Sequence, residues 1–297
     1  MFEDRDEFGT GMKIIEAIER RMSVRAYERQ PIPEMELREL TKFADSVPAL
    51  TPARMIFHLD ISGGVIGGGM SGVIGDYGKL ITAPHYLAIL SEESEGCLID
   101  AGYRFERVVL ESTRRGFGTC WIGGFFNEPK LLQRLGVPDG LRAVALTPLG
   151  YPARGMIKGA LQRMTRQAIG ATKRKLVNDV FHWIEYGRPL PPAATVGDYG
   201  TMIEAIRRAP SWANKQPWRF IAGPDGILLF KTDQQVKEGK DYHLVDCGIV
   251  MSHLELAAGE LGHPGAWDLQ PRRKPSLPVN SELIARFAFD TPFDLPV

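Results

Sequence analysis

Apolar residues in the first half of the chain alternate between helical and strand spacing, and glycine or proline ends most runs. Ile14, Ile15 and Ile18, for example, mark one face of a helix. The pattern predicts helices over 12–20, 33–48 and 100–115, and strands over 55–61, 83–90 and 141–149. Gly116 follows the longest of these helices, where a left-handed residue commonly ends a helix.

The second half of the chain repeats this pattern. Four positions recur at a constant offset of 146 residues: Asp100 and Asp246, Gly102 and Gly248, Gly116 and Gly262, Trp121 and Trp267. The helix after Asp246 keeps its apolar face, and a strand over 283–289 parallels the one over 141–149. Such self-similarity indicates an internal duplication. We expect the first half to span 1–175 and the second, more degenerate half to span 176–297.

The two halves have kept different polar residues. The first half alone has Arg21, Ser23 and Arg25. The corresponding positions of the second half are Asp179, Phe181 and Trp183. Those found in the second half alone are Ser211, Asn214 and Gln216, opposite Ala49, Pro52 and Arg54. Because each half keeps what the other lacks, we expect one ligand to draw on both halves.

The segment R-M-S-V-R over 21–25 has the spacing of an anion-binding cluster. In an extended chain alternate side chains share a face, so two guanidiniums and a hydroxyl converge. These groups can bind a phosphate or another oxyanion. The alternative is a solvated basic patch at a helix end, which the helix dipole favours.

The segment A-P-S-W-A-N-K-Q-P-W over 209–218 is a second candidate. Its two prolines remove backbone donors and restrict φ, which predicts the end of a helix and the start of a strand. Ser211, Asn214 and Gln216 place donors and acceptors at that boundary, where ligand contacts concentrate. The alternative is an ordinary helix C-terminus followed by a core strand.

Two glycine-rich stretches lead to different predictions. No βαβ unit surrounds the glycines over 63–72, so we interpret this stretch as a loop or lid and not as a dinucleotide site. The glycines over 116–125 surround Trp121 and Ile122 and permit close approach of the backbone to a flat ligand. A tight turn into a strand is the alternative for this second stretch.

Composition narrows the class of protein. Thirty-six basic and thirty-six acidic residues leave no net charge, so nothing points to a nucleic-acid or acidic-membrane partner. Three cysteines without CxxC spacing favour a reduced, cytoplasmic setting. No apolar run has membrane-spanning length, and the start MFEDRDEFG lacks a signal-peptide pattern. We expect a cytoplasmic protein that acts on a small molecule.

Five motifs together resemble those of the nitroreductase family of flavin enzymes: RRMSVRAY…PIP (20–33), APHYLAIL (83–90), GFGTCWIGGF (116–125), LGYP (149–152) and APSWANKQPW (209–218). In that family two short chains normally form a homodimer with two FMN sites, and the P-S-x-x-N segment contacts the flavin of the opposite subunit. The resemblance implies an α+β fold of mainly antiparallel sheets flanked by helices. Its two unequal halves resemble a fused pseudo-dimer, which we expect to be a monomer that binds one FMN.

The resemblance also implies which residues bind FMN. Residues expected at the phosphate, ribityl chain and pyrimidine edge are Arg21, Ser23 and Arg25, with Lys79 near the flavin O2. Residues expected along the isoalloxazine are Trp121, Ile122, Gly123 and Gly124. Further expected contacts come from Lys173 and Arg174 and, in the second half, from Pro210, Ser211, Asn214 and Gln216.

The resemblance implies a ping-pong reaction in which NAD(P)H delivers hydride to the flavin and a small aromatic or quinone-like acceptor is then reduced. We expect no catalytic acid or base and no metal site, since the cofactor carries the chemistry. His85 and His182 are interpreted as structural. Two alternatives stay open: an FMN carrier or sensor without turnover, and a flavin enzyme of another reaction type on the same fold.

Overall fold

The computed structural model describes residues 11–60, 81, 83–124, 126–153, 173–223, 226–233, 236–237, 240–272 and 275–291. Lys79, the glycine-rich stretch 63–72 and residues 154–172 lie outside these described residues. In the described part of the chain, no helix combines the length and the apolar character needed to cross a membrane.

Helices and strands alternate along the chain. The helices are α1 (Ile14–Arg20), α2 (Glu34–Ser46), α3 (Cys97–Arg114), α4 (Glu128–Leu135), α5 (Val177–Val180), α6 (Gly197–Arg208) and α7 (Tyr242–Glu260), with 3-10 turns at Pro192–Thr195 and Trp212–Asn214. The strands are β1 (Met55–Asp60), β2 (His85–Glu92), β3 (Gly118–Thr119), β4 (Leu141–Gly150), β5 (Phe181–Trp183), β6 (Trp218–Gly223), β7 (Gly226–Thr232), β8 (Val236–Lys237), β9 (Lys240–Asp241), β10 (Gly265–Asp268) and β11 (Ser281–Phe289).

Capping residues account for several of these boundaries. α2 starts directly after Pro33, and α3 is followed by Gly116 at a φ of 77°. The Asn127 side chain accepts a hydrogen bond from Lys130 N at 3.0 Å and so caps α4, which ends at Gly136 with a φ of 60°. The predicted helices and strands of both halves are present, with ends that differ by a few residues.

The chain forms two compact units. Unit 1 comprises Met1–Lys13, Arg20–Cys97 and Arg104–Ala168, and unit 2 comprises Ile14–Glu19, Leu98–Tyr103 and Ile169–Val297. Two short segments from the first half of the chain therefore belong to unit 2. Each unit contains its own sheet flanked by helices.

The sheet of unit 1 has the strand order β1-β2-β4-β3, and all of its neighbours are antiparallel. β2 is buried along most of its length because it lies between two neighbouring strands. Its residues Tyr86, Ala88 and Leu90 pack in one cluster with Ile122 and with Leu131 of α4. This cluster supports the start of the glycine-rich loop.

The main sheet of unit 2 has the order β10-β11-β7-β6-β5. Without β5, the order β6-β7-β11-β10 repeats that of unit 1, strand for strand along the chain. The α+β fold with mainly antiparallel sheets and an internal duplication is therefore confirmed. β8 and β9 form a separate two-stranded ribbon.

One expected correspondence between the halves differs in the structure. Residues 181–183, which the sequence comparison places opposite 23–25, form β5 and pair in parallel with β6. Ser23 instead pairs with Thr119 of β3, at the other edge of the repeated strand order. The ring of Phe181 stacks on that of Phe220 at 4.9 Å, so aromatic packing holds β5 at its edge.

The repeated Asp-x-Gly motif marks a close crossing within unit 2. A Cβ atom on Gly102 would lie 2.1 Å from the carbonyl oxygen of Val245, and one on Gly248 would lie 1.9 Å from that of Ile99. The two contacts are equivalent under the 146-residue offset. Glycine is required at both positions because any side chain would separate the backbones of α3 and α7.

Candidate functional site

The predicted anion-binding segment runs beside β3 in unit 1. Val24 N donates to Thr119 O at 2.8 Å, and Tyr27 pairs with Pro152. Val24 packs with Tyr27 and Ile81, and a Cβ atom on Gly118 would lie 2.9 Å from the Val24 side chain. The buried Val24 thereby holds the segment against the sheet, so that Arg21, Ser23 and Arg25 lie at alternate positions.

The backbone bridge between Ser23 and Thr119 brings this segment next to Cys120, whose thiol is buried. Burial raises the pKa of Cys120, and the Arg25 guanidinium, the Ser23 hydroxyl and the Arg21 guanidinium oppose that rise. Cys120 N donates to Thr147 Oγ1 at 2.8 Å, which fixes its backbone on β4. The bridge thus places Ser23 beside the first residues of the glycine-rich loop, and the charges of Arg21 and Arg25 act on the same thiol.

The glycine-rich loop is anchored at its start. Ile122 is buried and exchanges backbone hydrogen bonds with Leu146 at 2.8 and 2.9 Å. The Trp121 ring packs edge-on against Phe105 at 4.8 Å. Gly123 and Gly124 follow in a bend. A turn at Gly116 leads into β3, as the alternative interpretation expects, whereas Gly123 and Gly124 precede α4.

Glu106 is a residue of this region that the sequence interpretation missed. Its carboxylate accepts a hydrogen bond from Trp121 Nε1 at 2.7 Å and lies 3.6 Å from Arg21 Nε. The sequence could have pointed to Glu106 through its position four residues after Gly102, on the apolar face of α3. A fully buried carboxylate is uncommon unless it is paired.

The segment 209–218 in unit 2 has an unusual backbone. α6 ends at Arg208 and β6 begins at Trp218, as the two prolines predicted. Between them Ala213, Asn214 and Gln216 have φ values of 45°, 55° and 48°. Left-handed conformations are uncommon for residues other than glycine, and they concentrate at functional sites.

Side chains of this segment bind the backbone of residues 173–175. Asn214 Nδ2 and Gln216 Nε2 both donate to Lys173 O, at 2.8 and 3.1 Å, and Lys175 N donates to Gln216 Oε1 at 3.0 Å. Arg174 Nη1 donates to Asn214 Oδ1 at 2.6 Å. The structure thus brings four predicted site residues together, and Gln216 is buried within this network.

Asp246 fixes the start of the turn. Its carboxylate accepts from Trp212 N at 2.9 and 3.1 Å, and the Trp212 ring stacks on Tyr242 at 4.4 Å. Ser211 Oγ accepts from Gln216 N at 2.9 Å and closes the turn. Burial raises the pKa of Asp246 well above its ordinary value, and the Trp212 hydrogen bond opposes that rise. Pro210 lies half-buried just before the turn.

Lys175 provides a pH-dependent test of this network. Burial and then the Arg219 guanidinium lower the pKa of Lys175 from 10.5 to about 8, while Asp179 and Asp233 raise it and Lys215 lowers it. Between these two values the folded state binds fewer protons than the unfolded state, so the free energy of unfolding rises with pH. Lys175→Met is expected to reduce that rise.

Urea unfolding at a series of pH values measures the effect. Lys130→Met is the control, because Lys130 is an exposed lysine of unit 1. A wild-type slope between pH 8 and 10.5 that Lys175→Met leaves unchanged would show that Lys175 does not titrate as described.

The two histidines singled out from the sequence have structural contacts. His85 Nε2 accepts a hydrogen bond from Ile32 N at 2.9 Å. His182 is buried with its ring 4.5 Å from that of Tyr186, and burial followed by the Arg219 charge lowers its pKa. Among the described residues, no group of three or more His, Cys, Asp and Glu side chains is placed to hold a metal ion.

Comparison with protein families identifies the class to which the chain belongs. Residues 13–258 match the family model described as "Putative TM nitroreductase". Because the match covers most of the sequence, the chain belongs to this nitroreductase family. The resemblance seen in the sequence motifs is therefore confirmed.

One solved structure shares the fold over almost the whole chain. The "putative nitroreductase" of Thermotoga maritima MSB8 is 20% identical, with 95% of this chain and 96% of that chain covered and a TM-score of 0.60, which shows a shared fold. A nitroreductase with bound FMN from Bacteroides fragilis NCTC 9343 is 23% identical over 48% of this chain and 90% of that chain, with a TM-score of 0.41. No curated protein matches this chain.

Proposed function

We propose that the protein is an FMN-dependent NAD(P)H oxidoreductase that reduces a small aromatic or quinone-like acceptor. The observation that carries the proposal is the position of segment 21–25 beside the start of the glycine-rich loop. Ser23 bridges to Thr119 there, and Arg21 pairs with Glu106, which accepts a hydrogen bond from Trp121. Family membership supports it, as does the FMN bound in the Bacteroides fragilis nitroreductase.

The residues present fit the phosphate of FMN. A phosphate monoester carries roughly −1.5 to −2 charges near neutral pH and is matched by paired guanidiniums. Arg21 and Arg25 form one hydrogen bond with the described residues, from Arg25 Nη1 to Ser23 O at 3.4 Å. Most of their donors are therefore unused by the described residues.

We further propose that other predicted residues contribute to the same cofactor. Trp121 to Gly124 would lie along the isoalloxazine, where a backbone without side chains permits close approach. The support for Pro210, Ser211, Asn214 and Gln216 is the complementary retention of residues in the two halves. The Asn214 network with Lys173 and Arg174 adds two cations beside that turn. Lys79 is proposed from the family motif alone.

Bound flavin would supply the hydride chemistry, and the chain's own residues would bind and orient it. The arginines would fix the phosphate end, and the rigid start of the loop at Ile122 would fix the ring end. We propose no acid or base from the protein. The fused halves already provide both residue sets, so we propose that the protein acts as a monomer.

Flavin reduction tests the function directly. The purified protein is expected to bind FMN, to lose flavin absorbance when NADH or NADPH is added without oxygen, and to regain it with a nitroaromatic or a quinone. FMN binding without bleaching by either nucleotide would contradict the reductase and favour a carrier or sensor. Bleaching without reoxidation by these acceptors would indicate another reaction type.

A further inference from the structure

Glu106 is a buried carboxylate that contacts two residues of the candidate site. Its Oε2 accepts a hydrogen bond from Trp121 Nε1 at 2.7 Å, and its Oε1 lies 3.6 Å from Arg21 Nε. The Glu106 side chain is fully buried, and that of Arg21 is 8% exposed. In such surroundings water screens the ion pair only weakly.

The carboxylate faces one side of the Arg21 guanidinium. Arg21 forms no hydrogen bond with a described residue. Its Nε atom is buried and has no hydrogen-bond partner among them. Nη1 and Nη2 therefore keep their donors, and this pair of nitrogens matches a phosphate in bidentate geometry. Glu106 restrains the guanidinium from the Nε side and leaves the other side for a ligand.

The second half of the chain offers an internal comparison. Trp267 and Ser252 stand 146 residues after Trp121 and Glu106. Trp267 Nε1 donates to the backbone carbonyl of Met251 at 3.2 Å, and Ser252 Oγ donates to Tyr103 O. A tryptophan at this position therefore does not require a carboxylate. The carboxylate stands in the half that carries Arg21.

We propose that Glu106 is a positioning residue that orients Arg21 toward the cofactor phosphate and links this arginine to Trp121 of the glycine-rich loop. The inference rests on the FMN binding proposed above. It adds a residue that lies in none of the five sequence motifs. The two oxygens of one carboxylate connect the phosphate end of the site to the loop.

Glu106→Gln tests the link because it removes the charge and keeps an amide oxygen that can accept from Trp121. We expect FMN affinity to fall at least about tenfold, and riboflavin affinity to fall less than about twofold, since riboflavin lacks the phosphate. A purely structural role would weaken both flavins equally. Equal losses, no loss or tighter FMN binding would each overturn the proposal.

Trp267→Phe is the matched control in the second half. It removes an indole hydrogen bond of the same kind, but one made to a backbone carbonyl. The ratio of FMN to riboflavin affinity is expected to stay at the wild-type value in this variant. A changed ratio would mean that the preference for FMN over riboflavin does not depend on Glu106 and Arg21.

Inorganic phosphate gives a test without flavin. Phosphate is expected to change the tryptophan fluorescence of the wild type, but not that of Trp121→Phe or Glu106→Gln. If phosphate binds without a fluorescence change that depends on Trp121, the proposed link from Arg21 through Glu106 to Trp121 is wrong, even if FMN binds. A Trp121-dependent response in a protein that binds no flavin would support the link and contradict the proposed function. Binding of neither phosphate nor flavin would contradict both.

Discussion

Arg21→Ala is expected to bind FMN about 100-fold more weakly than the wild type. Two charge-assisted hydrogen bonds to a phosphate contribute roughly 3 kcal/mol, and about 1.4 kcal/mol corresponds to a factor of ten in Kd. Arg21 is suited to this role because its terminal nitrogens Nη1 and Nη2 form no hydrogen bond with the described residues. Quenching of FMN fluorescence on titration with the apoprotein measures the Kd.

Two further variants keep this prediction testable if Arg21→Ala destabilises the fold. Arg21→Lys retains the charge opposite Glu106 but lacks the planar fork, so we expect an intermediate loss of about tenfold. Arg29→Ala removes an exposed arginine of the same region and is expected to bind FMN normally.

Asn214→Ala examines the contribution of segment 209–218 in the same assay. It removes the acceptor of Arg174 Nη1 and the donor to Lys173 O, and we expect weaker FMN binding. If Arg21→Ala and Asn214→Ala both purify with undiminished yellow colour, the assignment of these residues to FMN is wrong.

Gly248→Ala is expected to lower the free energy of unfolding by about 3 kcal/mol, because overpacking of a tight contact has this order of cost. The new methyl carbon would lie 1.9 Å from Ile99 O and 2.7 Å from Tyr103 N, so α3 and α7 would have to move apart. In a chain of this size the loss corresponds to a fall in Tm of roughly 5 °C. Thermal unfolding followed by circular dichroism measures it.

Gly259→Ala is the matched control in the same helix. A Cβ atom there meets nothing within 4 Å, so we expect unchanged or slightly higher stability, by about 0.5 kcal/mol, since alanine restricts the unfolded chain. Gly102→Ala is expected to resemble Gly248→Ala because its contact is equivalent. A wild-type Tm for Gly248→Ala would show that the crossing is looser than described.

The candidate residues were visible in the sequence where their signal is local. The R-x-S-x-R spacing predicted an anion-binding segment, and the structure places that segment beside β3 and the glycine-rich loop. The prolines of segment 209–218 predicted its helix end and strand start, because proline acts on its own backbone and on the preceding residue. Lys79 stays a prediction, since it lies outside the described residues.

The sequence by itself determined the elements, their repetition and the family, since periodicity, prolines and glycines act over a few residues. Only the tertiary structure decided three other features. Glu106 contacts Arg21 and Trp121. The glycines of the two Asp-x-Gly motifs lie where α3 and α7 cross at contact distance. The Gln216 side chain forms hydrogen bonds with the backbone of residues 173–175. Each depends on a contact between segments distant in the chain. A buried carboxylate or a close backbone approach is specified by the partner that folding brings to it, and no local pattern encodes that partner.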